Sequence, residues 1–307
     1  RILFEAPARG AYLLIVEARA RRDGPDDNVA VETPFAIVTT PDTAYRPHSF
    51  FSITAPALLS ADELRFYQRI GARVLRSAWL PGQSTPDGRP VTETELDAQL
   101  QLRASHRLAT RAVLPYWPAF SEELWRSRAL ATATRYPDIA LWETDAPAPA
   151  DARENFAQSF RIARPDAQLF AAMPRTPLSS GSLKGWTTEL PALDARQPSA
   201  AIMRLLLTQR DRARDAGGDL RVRQPFGEVN ANGNETSAVA VAGRLITRYI
   251  MAISAGANGF SAAVPPATRE ASGPQRLTAM AEAAAFAHMA SRLEDTSFSR
   301  EVWSHLP

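Results

Sequence analysis

Two carboxylates stand out by their setting. Glu143 closes the strand-like run Ile139-Ala140-Leu141-Trp142-Glu143, with Thr144 and Asp145 just beyond it. Glu228 follows a second such run, from Leu220 to Phe226, within Gly227-Glu228-Val229-Asn230. Where strands alternate with helices, a carboxylate at a strand's C-terminal end faces the mouth of a barrel and not its packed centre. Two carboxylates brought together there are the minimum equipment for cleaving a glycosidic bond; a separation of about 5–5.5 Å retains the anomeric configuration and about 6.5–9.5 Å inverts it. Trp79, Tyr116, Trp117 and Trp142 cluster at predicted strand ends. Their flat faces suit the C–H faces of sugar rings, and an indole N–H can donate to a hydroxyl, although core or rim packing accounts for many such residues. Asp145 is a reserve acid. Asn230 shares a polar loop with Asn232 and Asn234, where an asparagine contacts hydroxyls or simply makes a turn.

The elements that must position these residues follow a regular rhythm from Phe50 onward. Strands are expected at 50–54, 73–80, 110–116, 139–143, 168–173, 220–226 and 259–264, with a doubtful one around 190–195 inside a Pro/Ser/Gly-rich stretch from 174 to 198. Helices fall between them, and two begin with capping-box patterns, Ser60 with Glu63 and Thr92 with Glu95. Such alternation means a parallel sheet of βα units. No Gly-rich phosphate loop follows the first strand, so a (β/α)₈ barrel fits better than an open doubly wound sheet. Residues 1–45 carry two β-like runs, Gly10 to Ala20 and Val29 to Thr39, expected to be part of a small β-sandwich. The barrel is expected over 46–297, with 298–307 as the start of a truncated C-terminal β segment.

Composition narrows the function classes. The 307 residues are 45% apolar and 22% charged, ordinary for a globular protein. Basic and acidic side chains nearly balance, 35 against 33, with no Lys/Arg block of the kind that nucleic-acid arms use. Lys184 is the one lysine; every other long cation is arginine. The absence of cysteine excludes disulfides, thiolate nucleophiles and cysteine–zinc sites. His48, His106, His288 and His305 are scattered, which argues against a metal, and no Gly-x-Ser-x-Gly elbow is present. No apolar run approaches a membrane span, and the start at Arg1, without methionine or signal peptide, suggests a fragment from which any targeting segment was removed.

Over residues 48 to 293 the chain resembles the retaining glycoside hydrolases whose barrels carry catalytic glutamates on strands four and seven, within the β-xylosidase and α-iduronidase group and its bacterial polysaccharide-hydrolase relatives. The resemblance rests on 70–79 (IGARVLRSAW), 136–143 (YPDIALWE), 160–167 (FRIARPDA) and 227–230 (GEVN). It implies Glu228 as nucleophile, Glu143 as acid/base and Arg76 as the cation that keeps Glu228 charged. It also implies a carbohydrate substrate, no cofactor and an extracytoplasmic location. Two departures are visible. The asparagine that normally precedes the fourth-strand glutamate is replaced by Trp142, and the sixth-strand region lacks the usual His and Tyr. The alternative is a carbohydrate-binding or scaffold barrel that has lost its acid.

Overall fold

A computed structural model describes residues 45–85, 88–116, 121–145, 150–174, 181–191, 198–225, 238–264 and 273–293, together with the backbone of 10–18 and 29–37. Eight parallel strands close into a barrel: β3 (Phe51–Thr54), β4 (Val74–Ala78), β5 (Ala109–Leu114), β6 (Leu141–Thr144), β7 (Gln168–Ala172), β8 (Gly185–Glu189), β9 (Asp219–Gln224) and β10 (Gly259–Ala263), with β10 pairing back onto β3. The helices that follow them are α1 (Ala61–Arg69), α2 (Glu93–Ser105), α3 (Glu122–Arg135), α4 (Ala150–Ala163), α5 (Ser199–Asp215), α6 (Ala238–Ser254) and α7 (Gly273–Leu293). The expected barrel is therefore present. Both capping boxes form as well: the Ser60 and Thr92 hydroxyls accept from the backbone N–H groups of Glu63 and Glu95, whose carboxylates reach back to the cap N–H. Caps of this kind stabilise a helix start by about 1 kcal/mol.

The sixth barrel strand corrects the sequence reading. It lies at Gly185–Glu189, inside the stretch expected to hold no clear strand, and ends before the region around 190–195. Trp186-Thr187-Thr188 has the aromatic and β-branched character of a strand, hidden by the Ser/Gly/Pro flank. Gly185 is needed for close approach, since a Cβ there would collide with the Asp219 backbone on β9. At the same N-terminal end of the barrel Lys184 pairs with Asp219 at 3.2 Å.

Strand periodicity divides the barrel's side chains into two sets. Ile53, Leu75, Ala112, Trp142, Ala171, Trp186, Val222 and Ala262 point outward and join the apolar layer beneath the helices. Within that layer Phe51 stacks on Tyr249 of α6 at 4.5 Å between ring centres, and Trp142 meets Phe160 of α4 at 6.2 Å. The alternate residues, Ser52, Arg76, Arg111, Glu143, Arg221 and Ser261, are buried polar groups, and Arg76 with Glu143 and Arg111 with Ser52 and Ser261 hydrogen-bond across the interior.

Outside the ring, β1 (Gly10–Ala18) and β2 (Val29–Ile37) form an antiparallel hairpin lying against α7. The expected C-terminal segment 298–307 is outside the described residues. Among the described residues, no helix is long and apolar enough to cross a membrane.

Candidate functional site

Glu143 sits near the C-terminal end of β6 with its side chain inside the barrel and 2% exposed. Arg76 of β4 reaches across from two strands away, its Nε donating to Glu143 Oε2 at 2.7 Å. Arg111 of β5 places Nη1 3.8 Å from the other carboxylate oxygen, Oε1. Burial alone would push the Glu143 carboxyl up, but the charges of Arg76, Arg111 and Arg221 outweigh it and hold the group below its ordinary value. Burial likewise opposes the charge on Arg76, yet Glu143 and Asp145 raise its proton affinity. Glu143 is thus a fixed anion. The raised pKa that an acid/base glutamate needs is not what this environment provides.

Asp145, two residues further along, lies at the rim and is 39% exposed. It accepts from Arg76 Nη2 at 3.3 Å and lies 3.3 Å from Arg223 Nη1. Arg223 of β9 also binds Glu189 at the end of β8 through Nη2. Arg76, Asp145, Arg223 and Glu189 therefore form a continuous chain of alternating charge along the C-terminal mouth, with Glu143 anchoring it from below.

The structure separates the expected sugar-stacking residues. Trp79 and Trp142 are wholly buried in the layer under the helices: Trp79 packs on Tyr136 and under the Arg103 guanidinium, and Trp142 donates from Nε1 to the Ile139 carbonyl at 2.7 Å. Each sits at an outward position of its strand, so neither presents a face to a ligand in the mouth. Tyr116 is half-buried against Trp125, with ring centres 5.7 Å apart. Trp117, Glu228 and Asn230 lie outside the described residues. Arg76, Glu143 and Asp145 do come together.

Sequence reading missed Arg111, Arg221, Arg223 and Glu189. The signal was available in part: Leu220-Arg221-Val222-Arg223 puts arginine at both inward positions of one strand, a pattern that a simple rim assignment passes over. Among the described residues, no group of three His, Asp or Glu side chains is placed to hold a metal ion.

The fold and this mouth define a (β/α)₈ barrel protein with an ion-paired C-terminal face, the end at which barrel enzymes bind ligands. No protein-family model matches the sequence, and no curated protein is similar to it. Among solved structures, the chain is similar to cellulose synthase subunit Z (CcsZ) of Clostridioides difficile, with a TM-score of 0.50, 9% identity, and coverage of 76% of this chain and 99% of that one. Xylanase 10B of Thermotoga maritima gives 0.50, 11%, 70% and 83% in the same order. A structure described as the catalytic core of xylanase A gives 0.51, 10%, 72% and 87%. The architecture is the eight-stranded barrel that such glycoside-hydrolase structures share. At these identities the likeness is one of fold.

Proposed function

We propose that the barrel mouth is a carbohydrate site and that the protein is a retaining glycoside hydrolase acting on a polysaccharide or oligosaccharide. The carrying observation is the row of strand-end charges Arg76–Asp145–Arg223–Glu189, braced from beneath by Glu143. Carboxylates and arginines fixed at strand ends can orient hydroxyls, and the carboxylates can offset the positive charge of an oxocarbenium-like transition state. In this reading Glu228 attacks the anomeric carbon as the leaving oxygen gains a proton, and water then hydrolyses the glycosyl-enzyme. Asp145 is assigned as the proton donor because it is the fourth-strand carboxylate at the open rim, and the role requires bound substrate to displace its partners Arg76 and Arg223. Glu143 keeps Arg76 in place. No cofactor is required, and an extracytoplasmic location goes with this reading, since a polysaccharide substrate is met outside the cytoplasm.

One observation favours the second reading, a carbohydrate-binding barrel without catalysis: Glu143 is held ionised by arginines and cannot donate a proton readily. Hydrolysis of a panel of aryl glycosides and plain polysaccharides decides between the two. The hydrolase reading expects Glu228→Gln and Asp145→Asn each to lower kcat by at least about 100-fold, consistent with loss of an acid or base. It also expects azide to restore turnover in Glu228→Ala. A parent protein that binds saccharides but turns over none of the panel establishes the binding barrel instead.

A further inference from the structure

The barrel interior is unbalanced in charge. Among the described residues, Arg76, Arg111 and Arg221 are all buried there, against one buried carboxylate, that of Glu143. Asp145 and Glu189 are shared with the rim guanidinium of Arg223, and Asp219 is paired with Lys184. Arginine does not shed its proton inside proteins, and an unpaired buried ion is among the costliest groups a fold can carry.

Hydrogen bonding shows where the excess lies. Arg111 is 1% exposed; its Nη1 donates to the Ser52 and Ser261 hydroxyls at 3.0 and 3.1 Å, but its Nε and Nη2 have no partner. Arg221 is 7% exposed, and its Nε and Nη1 are buried without a hydrogen-bond partner. Its guanidinium carbon lies 4.4 Å from the centre of the Phe170 ring. Both heads lie against the inner face of β10. Arg111 is bonded to Ser261, and Arg221 Nη1 is 2.8 Å from where a Cβ on Gly259 would be. Two residues along one strand face place these points roughly 7 Å apart. A small anion held between the two heads would meet the unpartnered Nε and Nη2 of Arg111 and the unpartnered Nε and Nη1 of Arg221. Gly259 is then understandable, since any side chain there would take the space Arg221 occupies.

We propose that the barrel interior holds a small monovalent anion between Arg111 and Arg221, either free halide or the carboxylate of a bound acidic sugar. The repulsion between these guanidiniums, which lowers the proton affinity of Arg111 after burial has done so, is relieved by such a counter-ion. The site lies below the mouth and does not depend on catalysis there.

The test is thermal unfolding at constant ionic strength, with a bulky organic sulfonate replaced stepwise by chloride, bromide or glucuronate. Chloride and bromide are expected to raise the midpoint saturably, by roughly 2–4 °C for stabilisation of ordinary size. A rise with glucuronate alone assigns the site to a ligand carboxylate. Arg221→Met keeps the length and removes the charge, so it is expected to fold, to match or exceed the parent in the sulfonate buffer, and to lose the anion response. Crystals grown in bromide are expected to show an anomalous peak between Arg111 and Arg221. Identical midpoints in all anions, an unchanged response in Arg221→Met, or ordered water in place of the peak overturns the proposal.

Discussion

The two faces of the same eight strands are built on opposite principles. Outward, Ile53, Leu75, Ala112, Trp142, Trp186 and Val222 make an apolar layer against the helices. Inward, Ser52, Arg76, Arg111, Glu143, Arg221 and Ser261 stand among Val74, Val113, Leu141 and Phe170, in an interior that branched apolar residues usually fill. The outer layer supplies the stability and is tolerant of chemistry. The inner one is ordered by charge: Arg76, Arg111 and Glu143 fix one another, so removing the Glu143 carboxylate is costly, whereas Arg221 keeps Nε and Nη1 without a hydrogen-bond partner. In this barrel, holding the fold and positioning the mouth are tasks of different sides of one strand.

The sharpest way to break that division is to attack each side in turn. Trp142→Ala empties a fully buried outward position and is expected to cost about 3–5 kcal/mol of stability in denaturant unfolding. Glu143→Gln strips the interior of the one buried anion among its described residues and is expected to cost about 3 kcal/mol or more, because Arg76, Arg111 and Arg221 all lose its charge. Adding Arg221→Met to Glu143→Gln is expected to recover part of that loss, whereas adding it to Trp142→Ala recovers none. A double-mutant cycle reads the difference.

The two sides also respond to pH in opposite senses. The Glu143 carboxyl is depressed in the folded state, so its contribution is present above the ordinary 4.5 and disappears as pH falls through the lowered value. The parent and Glu143→Gln stability curves are expected to converge in acid and separate above pH 5. Among the described residues no charge compensates the buried Glu282 of α7, and burial pushes its carboxyl up to about 7. The folded protein therefore loses stability as pH rises from 4.5 to about 7 and carries the full penalty above. Glu282→Gln is expected to stabilise at pH 8 by on the order of 2 kcal/mol and to change nothing at pH 4. The smallest effect is at the rim, where Glu189→Gln breaks a half-exposed pair and is expected to cost less than about 1 kcal/mol.

Much of the architecture was legible because local signals and the global fold agree. Ser60 with Glu63 and Thr92 with Glu95 mark helix starts that the structure reproduces, and strands such as Gln168–Ala172 fall within a residue of their expected ends. Gly185–Glu189 escaped because its Thr-Thr core is short and its flanks carry turn residues, while the pairing that stabilises it comes from distant strands. The site was legible as a place more than as a mechanism. Arg76 was expected beside Glu228, and its bonds to Glu143 and Asp145 were not read from the sequence; which face of a strand Trp142 occupies likewise depends on register, which composition does not reveal. A one-residue offset separates a sugar platform from a packing residue. The tuning of Glu143 is likewise a property of Arg111 and Arg221, contributed by strands far away in the chain.

Lys184 precedes β8, so it projects from the end of the barrel opposite the ion-paired mouth, and it is half-exposed. As the sole lysine of the chain, it is the one side-chain amine open to acylating reagents. Coupling through it would anchor the molecule to a surface or a dye from beneath, leaving the opposite opening turned toward solution.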